Sequence, residues 1–416
     1  MMTITRQEAY QLIRAKGTEL VTLMQRASAL RDAGHGNIVT YSRKVFIPLT
    51  NLCRDKCAYC TFARAPNDPK ARTLTPDEVL AIAHAGQAQG CKEALFSLGD
   101  KPELLHAKAR RHLQRLGYES TVDYLHAMCK RVYEETGLIP HANAGIMSYE
   151  ELATLRPFNG SMGIMLESVS ERLMEKGQAH FGCPDKHPAV RLQMIRQAGE
   201  LKIPFTTGIL IGIGETLEER VDSLFAIADL QARYGHIQEV IVQNFRRKLD
   251  IRFRNRDEPS VLDMIRTIAV ARLILGAQMS IQAPPNLTPD AYGMYLLAGI
   301  NDWGGVSPVT ADHINPEAAW PMIAELDDVT RDAGFQLRER MTVYPQYIVQ
   351  KTTYIHPPLR ERILPLVDHV GLVKPELTPH LGTKRRVEIA KLERKHKTGY
   401  TLHPVESGEF DISEAE

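Results

Sequence analysis

The sequence predicts an α/β fold: a TIM-type (β/α) barrel of parallel strands, with helices before it and an extension after it. Short runs rich in Ile, Val, Leu and Phe alternate with helical patterns seven or eight times along the 416 residues. Such alternation is typical of parallel strands joined by helical crossovers. A closed barrel is the economical arrangement, although the pattern alone also allows an open doubly wound sheet.

The candidate strands are short apolar runs, as parallel strands buried on both faces should be. The run at 300–303 is the weakest of them. The runs lie at 45–50, 94–98, 138–143, 161–167, 204–211, 239–244, 279–282 and 300–303. Around them we expect three segments: helices over 1–40, the barrel over 41–335, and an extension with a charged tail over 336–416.

The segments between the strands begin and end like helices. Thr75 with Glu78 forms a capping box, with a proline between them at the first helical position. Thr216 with Glu219 forms a second capping box. The tripeptide 288–290 repeats the first opening, and glycines at 90 and 299 are typical stops.

The composition excludes several functional classes. A net charge of +1 and a pI near 7.7 argue against a strongly basic nucleic-acid binder. We interpret the seven Lys and Arg at 384–397 as a solvated helix face. The longest apolar run, around 203–213, is too short to span a bilayer, and the first residues lack the apolar core of a signal peptide. We therefore expect a cytoplasmic protein that binds neither membrane nor nucleic acid.

Three of the six cysteines, Cys53, Cys57 and Cys60, crowd into eight residues directly after the first candidate strand. Barrel enzymes carry their chemistry at that end of their strands. Three thiolates in one tight loop suit a soft metal or an iron–sulfur cluster. Structural zinc favours a second cysteine pair, which the sequence lacks. On a four-iron cluster, three cysteines would leave one iron open for another ligand.

The spacing Cys-x-x-x-Cys-x-x-Cys, with Tyr59 before the last cysteine, resembles that of the radical S-adenosylmethionine (SAM) enzymes. The resemblance implies a radical SAM barrel with a [4Fe-4S] cluster and SAM on its open iron. An external electron donor would then drive cleavage of SAM to methionine and a 5′-deoxyadenosyl radical, which takes a hydrogen atom from the substrate. The protein supplies position and a dry cavity.

Several further residues are candidates for binding SAM. Gly99 and Asp100 follow the second strand and resemble the small-residue turn that, in radical SAM barrels, contacts the SAM amino group. Glu167 suits the ribose hydroxyls or the ammonium, and Arg172 suits the carboxylate. Each of these residues could instead be an ordinary loop or helix residue with no role in binding. The full set is Tyr59, Gly99, Asp100, Glu167, Arg172 and the glycines Gly208 and Gly212, which would let the backbone approach adenine.

Five segments resemble one radical SAM family, the 7,8-didemethyl-8-hydroxy-5-deazariboflavin synthases. The resemblance covers residues 40 to 375. The stretch 299–310 is its most specific part, because other radical SAM families share the cysteines but not this loop. The segments are 50–62, 96–103, 243–246, 283–287 and 299–310.

The resemblance implies a lyase that uses SAM and releases ammonia. Its small-molecule substrate would be 5-amino-5-(4-hydroxybenzyl)-6-(D-ribitylimino)-5,6-dihydrouracil, which is closed to the deazaflavin ring with formation of methionine and 5′-deoxyadenosine. A sister radical SAM enzyme makes this adduct from tyrosine and 5-amino-6-(D-ribitylamino)uracil. Because this chain has one cysteine motif, we expect the sister to be a separate partner.

The implied substrate is polar and neutral, so its site needs amides and hydroxyls more than charges. Polar residues at the expected strand ends are the candidates for binding it. Asp302 or His141 could move protons during loss of ammonia. The candidates for substrate binding are Asn143, Gln243, Asn244, Asn286, Asn301 and Trp303.

Three alternatives stay open. The chain could be another radical SAM enzyme on the same barrel, such as a futalosine-pathway or biotin-synthase-like enzyme. It could be the sister enzyme that joins tyrosine to the uracil. It could also be a zinc-stabilised binding module without catalysis.

Overall fold

The computed structural model describes residues 4–379 and the backbone of 400–404 and 410–414. Helices and strands alternate along the chain. The helices are α1 (Arg6–Leu12), α2 (Gly17–His35), α3 (Pro76–Ala88), α4 (Ala107–Leu116), α5 (Thr121–Thr136), α6 (Tyr149–Leu155), α7 (Pro188–Glu200), α8 (Leu217–Tyr234), α9 (Val261–Leu275), α10 (Met294–Leu297), α11 (Ile323–Asp332), α12 (Pro345–Val349) and α13 (Pro357–Ile363). The strands are β1 (Ile38–Thr50), β2 (Glu93–Leu98), β3 (Ile139–Asn143), β4 (Ser161–Gly163), β5 (Phe205–Ile211), β6 (Ile237–Asn244), β7 (Ser280–Gln282), β8 (Asp302–Val306), β9 (Gln336–Glu339), β10 (Tyr400–Pro404) and β11 (Phe410–Glu414).

Strands β1 to β8 form a closed parallel barrel, as the sequence predicts. Neighbouring strands pair in chain order, and β1 pairs with both β2 and β8, which closes the sheet. A ninth strand, β9, pairs with the first residues of β1, over Ile38 to Tyr41. The first part of the thirteen-residue strand β1 therefore pairs with β9 and β8, and its last part pairs with β2.

The predicted strands agree in place with seven of the eight barrel strands, within a few residues at most ends. The largest differences are at β1, which begins seven residues earlier than expected, and at β4, which ends at Gly163. The prediction for β8 was wrong in register: the strand runs over Asp302–Val306 rather than 300–303. Residues expected at the carboxyl end of this strand therefore lie at its beginning.

Local capping explains where the outer helices begin. Thr75 and Glu78 form the predicted capping box of α3, and Thr216 and Glu219 form that of α8. The third predicted start, at Thr288, was wrong. Its hydroxyl bonds the Tyr295 hydroxyl at 2.7 Å instead of capping a backbone N–H, and α10 begins six residues later.

Along each barrel strand, side chains point alternately toward the outer helices and toward the barrel interior. On β1, Val45, Ile47 and Leu49 belong to the apolar core between the strands and the helices. Lys44 and Phe46 line a cavity inside the barrel. The interior of this barrel is thus partly polar and leaves space for a ligand.

The segment after residue 335 closes the bottom of the barrel. Strand β9 joins the sheet, and Met341, Val343 and Tyr344 pack in a second apolar cluster with Ile139 of β3. The charged run at 384–397 lies outside the described residues. No helix in the described part of the chain is long and apolar enough to cross a membrane.

Candidate functional site

The three cysteines lie in the loop that follows β1, at the carboxyl end of the barrel. Cys53, Cys57 and Cys60 are partly exposed and line a cavity of about 300 Å³. The loop after β2 supports them, because the Asp100 N–H donates to the Cys53 sulfur at 3.2 Å. At Gly99, a Cβ would lie 1.9 Å from the Leu52 carbonyl oxygen. Glycine at 99 is therefore what lets the two loops touch.

The protein environment does not favour three free thiolates. Burial raises the pKa of Cys53 and of Cys60. A hydrogen bond with Cys183 lowers the pKa of Cys57. Buried thiolates gain most from a bound cation, so this donor set suits a soft metal centre.

A fourth cysteine, Cys183, lies against Cys57 although the two are far apart in sequence. Its sulfur accepts the Lys56 N–H at 3.3 Å and hydrogen-bonds Cys57. Cys183 is 1% exposed and is not among the residues that line the cavity, so it lies behind Cys57.

The separation of the thiols bears on the kind of metal. Ligand sulfurs on one tetrahedral zinc ion lie about 3.8 Å apart. Cys53, Cys57 and Cys60 do not form a group in which all ligand atoms lie within 4.8 Å of one another. In this structure the three sulfurs are therefore not gathered at the spacing of one zinc ion.

Three aspartates surround the cysteine loop on one side. Oxygens of Asp55, Asp100 and Asp185 lie within 4.8 Å of one another, and Arg54 pairs with Asp185. Burial, with repulsion from Asp185, raises the pKa of Asp55 to about 6 and that of Asp100 to about 7. Asp55 and Asp100 line the cavity, and each has a buried Oδ1 without a hydrogen-bond partner. The wall beside the thiols therefore suits a cationic group such as an ammonium.

Glu167 and Tyr59 both lie in the wall of this cavity. Glu167 has φ +66°, a left-handed conformation that is costly outside glycine and is common at binding sites. Its Oε1 accepts from Lys186 Nζ at 2.6 Å, and the Tyr59 hydroxyl lies 3.1 Å from His180 Nε2. Both predicted residues thus line the cavity that holds the cysteines.

Three other residues predicted to bind SAM do not line this cavity. Arg172 is partly exposed and pairs with Glu219 at 2.7 Å. Gly208 lets β5 approach β6, since a Cβ there would lie 2.2 Å from the Ile241 carbonyl oxygen. Gly212 has φ +91° and packs against Pro259. Each of the three has a structural explanation of its own.

A second cavity, of about 180 Å³, lies nearer the amino-terminal ends of the strands. Asn143 and Gln243 line both cavities, so the two adjoin. Asn244 lines the outer cavity with a buried Oδ1 that has no partner. These three predicted amides therefore converge where a ligand could extend from the cysteines into the barrel.

His141 lines the inner cavity from β3. Its Nδ1 lies 2.7 Å from the Ser161 hydroxyl oxygen. Burial lowers the pKa of His141 to about 4, so the ring is neutral at pH 7. A neutral imidazole can accept a proton from a ligand in this cavity.

The structure contradicts the expectation that Asp302, Asn301 and Trp303 lie at the mouth of the barrel. Since β8 begins at Asp302, all three lie at the opposite end. Asp302 is fully buried and accepts from Arg340 Nε at 2.6 Å. Asn301 accepts from Arg272 at 2.7 Å, and the Trp303 indole donates to Thr330 at 2.9 Å. These contacts are structural.

Asn286 is also held by the protein itself. Its Nδ2 donates to Asp312 at 3.0 Å and to the Ala318 carbonyl at 3.1 Å. It does not line either cavity. It instead supports the loop at 312–315, whose Ile314 and Asn315 cover both cavities.

Sequence reasoning missed the charged residues of the inner cavity. They are Lys44, Glu93, Glu239 and Arg340, with Gln282 beside them. The available signal was a charged residue within an otherwise apolar strand, as in Lys44-Val45-Phe46 and Glu93-Ala94-Leu95. A barrel that was solid inside would not bury such charges.

Comparisons with known proteins identify a family model and relatives that this chain resembles. The family model of the Radical SAM superfamily matches residues 47–227. The chain is 49% identical over 337 residues to the 7,8-didemethyl-8-hydroxy-5-deazariboflavin synthase of Methanopyrus kandleri (strain AV19), covering 81% of this chain and 100% of that protein. It is 50% identical over 384 residues to the FO synthase of Nocardia farcinica (strain IFM 10152), covering 89% of this chain. The match covers 44% of the Nocardia protein, so the chain spans less than half of that longer relative.

Solved structures share the fold. The FeFe-hydrogenase maturase HydG from Carboxydothermus hydrogenoformans superposes with a TM-score of 0.65 at 20% identity, covering 86% of this chain and 84% of that one. Methylornithine synthase (PylB) superposes with a TM-score of 0.62 at 19% identity, covering 80% of this chain and 94% of that one.

Proposed function

Because this chain belongs to the 7,8-didemethyl-8-hydroxy-5-deazariboflavin synthase family of radical SAM enzymes, we propose that it forms the deazaflavin ring. The substrate would be 5-amino-5-(4-hydroxybenzyl)-6-(D-ribitylimino)-5,6-dihydrouracil. With SAM it would give the 5-deazaflavin, 5′-deoxyadenosine, methionine and ammonia, which makes the enzyme a carbon–nitrogen lyase. The observation that carries the proposal is the cysteine cavity that adjoins a polar cavity inside the barrel.

Cys53, Cys57 and Cys60 would hold the [4Fe-4S] cluster. The fit is supported by their shared cavity, by the Asp100 N–H on the Cys53 sulfur and by the close approach that Gly99 allows. When bound, cluster and SAM would supply the one-electron chemistry that removes a hydrogen atom from the substrate. Three protein ligands would leave one iron for SAM.

Asp100, Glu167 and Tyr59 would bind SAM beside the cluster. Asp100, with Asp55, offers carboxylate oxygens that lack partners and suit an ammonium. Glu167 has one oxygen on Lys186 and so could accept a ribose hydroxyl through the other. Arg172, Gly208 and Gly212 would take no part in binding SAM, since they contact other parts of the protein.

Asn143, Gln243 and Asn244 would bind the substrate at the junction of the two cavities. Each amide can both donate and accept, which matches the edge of a uracil. His141, neutral at pH 7, would take a proton when ammonia leaves. Asp302 is withdrawn from this role because both of its oxygens are bound by Arg340.

A sister radical SAM enzyme would supply the adduct, and an external donor would supply electrons. All six cysteines are free thiols in the structure. Thiols that must ligate iron need a reducing compartment, so we assign the enzyme to the cytoplasm.

The test is a product assay on anaerobically reconstituted, reduced protein. We expect deazaflavin fluorescence with SAM and the preformed adduct, and none with SAM, tyrosine and 5-amino-6-(D-ribitylamino)uracil. Formation of the adduct from tyrosine and 5-amino-6-(D-ribitylamino)uracil, with no deazaflavin from the preformed adduct, would assign the sister reaction instead. A colourless protein that carries one zinc ion would contradict both.

A further inference from the structure

The inner cavity ends in a group of charged and polar side chains that the proposed function has not used. We define the barrel floor as Lys44, Glu93, Thr206, Glu239 and Gln282, all of which line this cavity. All five are buried. Buried groups of this kind are costly unless a ligand, water or neighbour satisfies them.

The barrel floor is partly satisfied by its own contacts. Lys44 Nζ donates to Glu93 Oε1 at 2.8 Å, and the Thr206 hydroxyl donates to Glu239 Oε2 at 3.0 Å. Gln282 donates to the Trp303 carbonyl at 3.4 Å, but its buried Oε1 has no partner. The Gln282 carbonyl oxygen thus remains as an acceptor for a ligand that donates hydrogen bonds.

We propose that the barrel floor binds the ribityl chain of the substrate, with Gln282 and Glu239 accepting hydrogen bonds from its hydroxyl groups. This inference rests on the proposed function, which supplies the substrate. A polyol both donates and accepts, so it can meet carboxylate, amide and ammonium groups at once. It is also neutral, which suits a floor where Lys44 is already paired with Glu93.

The other two parts of the substrate fit the floor less well. A phenol ring would displace water from the charged groups of Lys44 and Glu93 and would not replace the hydrogen bonds that this water makes. It fits better against the stacked rings of Phe46 and Trp320, whose centroids are 5.2 Å apart on the wall of the same cavity. The uracil edge matches the amides of Asn143 and Gln243, nearer the cysteines.

The test measures binding rather than turnover. The probes are 5-amino-6-(D-ribitylamino)uracil and 5-amino-6-(methylamino)uracil, which share a ring and differ in the ribityl chain. Quenching of Trp320 reports binding, since it lines the inner cavity; the second tryptophan, Trp303, does not. We expect the ribityl compound to bind the reconstituted protein about 10–100-fold more tightly, from several hydroxyl contacts.

Gln282→Met should reduce this ratio about threefold to tenfold, because it removes the acceptor while keeping the length of the side chain. Glu239→Gln, which keeps its shape, should reduce it as well. The matched control is Gln243→Met on β6, which should weaken both probes and leave their ratio unchanged. Iron content and far-ultraviolet circular dichroism should stay at wild-type values in all three variants.

The outcomes separate this inference from the proposed function. A ratio near one in the wild-type protein, or a ratio unchanged in both Gln282→Met and Glu239→Gln, would overturn the ribityl site even if deazaflavin forms. A ratio that falls in both variants supports the site even if the adduct is not converted. Loss of iron in Gln282→Met would leave Glu239→Gln to decide.

Discussion

The buried ion pair between Asp302 and Arg340 gives the sharpest test of how the barrel is held together. Asp302 Oδ2 accepts from Arg340 Nε at 2.6 Å, and Oδ1 accepts from Arg340 Nη2 at 2.9 Å and from the Gly304 N–H at 2.6 Å. Both side chains are 2% exposed or less. Arg340→Met would therefore leave a carboxylate without its cation in the barrel interior.

Removing one partner of such a pair costs about 3–5 kcal/mol, because the remaining charge stays buried. With an m-value of about 3 kcal/mol per M, the urea midpoint of Arg340→Met should fall by roughly 1–1.7 M. Unfolding is followed by circular dichroism on the reconstituted protein.

The double variant Asp302→Asn with Arg340→Met is the control. It removes both charges of this pair, and the asparagine can still accept from the Gly304 N–H, so it should recover part of the loss. Recovery is incomplete because Glu239, whose Oε1 lies 3.6 Å from Arg340 Nη2, loses its cation in both variants. A single-variant loss below about 1 kcal/mol, or a double variant less stable than Arg340→Met, would refute the structural role of this pair.

Three further predictions follow from the same structure. Burial holds the pKa of His236 near 4, so the unfolded chain takes up a proton at this residue from about pH 6.5 downward and the folded chain does not. The free energy of unfolding should therefore fall as the pH drops from about 6.5 to about 4, and His236→Gln should remove up to about 1.4 kcal/mol per pH unit of that slope. Urea titrations at several pH values measure the slope, and an unchanged slope in the variant would contradict the assignment. Gly99→Ala should bind less than a tenth of the wild-type iron by colorimetric assay, because its methyl group would overlap the Leu52 carbonyl oxygen; normal iron content would show that the loops can separate at little cost. Cys57→Ala should lose the cluster and all SAM cleavage, whereas Cys183→Ser should keep four irons per chain; the opposite result would make Cys183 the ligand.

Much of the fold could be predicted from the sequence because the signals were local. Apolar runs marked the strands, and the capping boxes at Thr75 and Thr216 marked the starts of α3 and α8. The cysteine loop was predictable for the same reason, since its residues and the strand before it are adjacent in the chain.

The errors came from contacts that are distant in sequence. Strand β8 is rich in glycine, and what fixes its register is the pairing of Thr40 with Asp302 and the ion pair with Arg340. Because of this register, Asp302 lies at the amino-terminal end of the barrel and not at its mouth, where the sequence placed it. Likewise, Cys183 meets Cys57 only because the loop before α7 folds back onto the cysteine loop.

The central claim is that three thiolates at the mouth of the barrel leave one iron of the cluster for SAM. Electron paramagnetic resonance of the reduced, reconstituted protein tests it most directly, with and without SAM. We predict a cluster signal that changes shape when SAM is added, both in the wild-type protein and in Cys183→Ser. A signal that SAM leaves unchanged in the wild-type protein, and changes only in Cys183→Ser, would mean that Cys183 fills the fourth position and would contradict the claim.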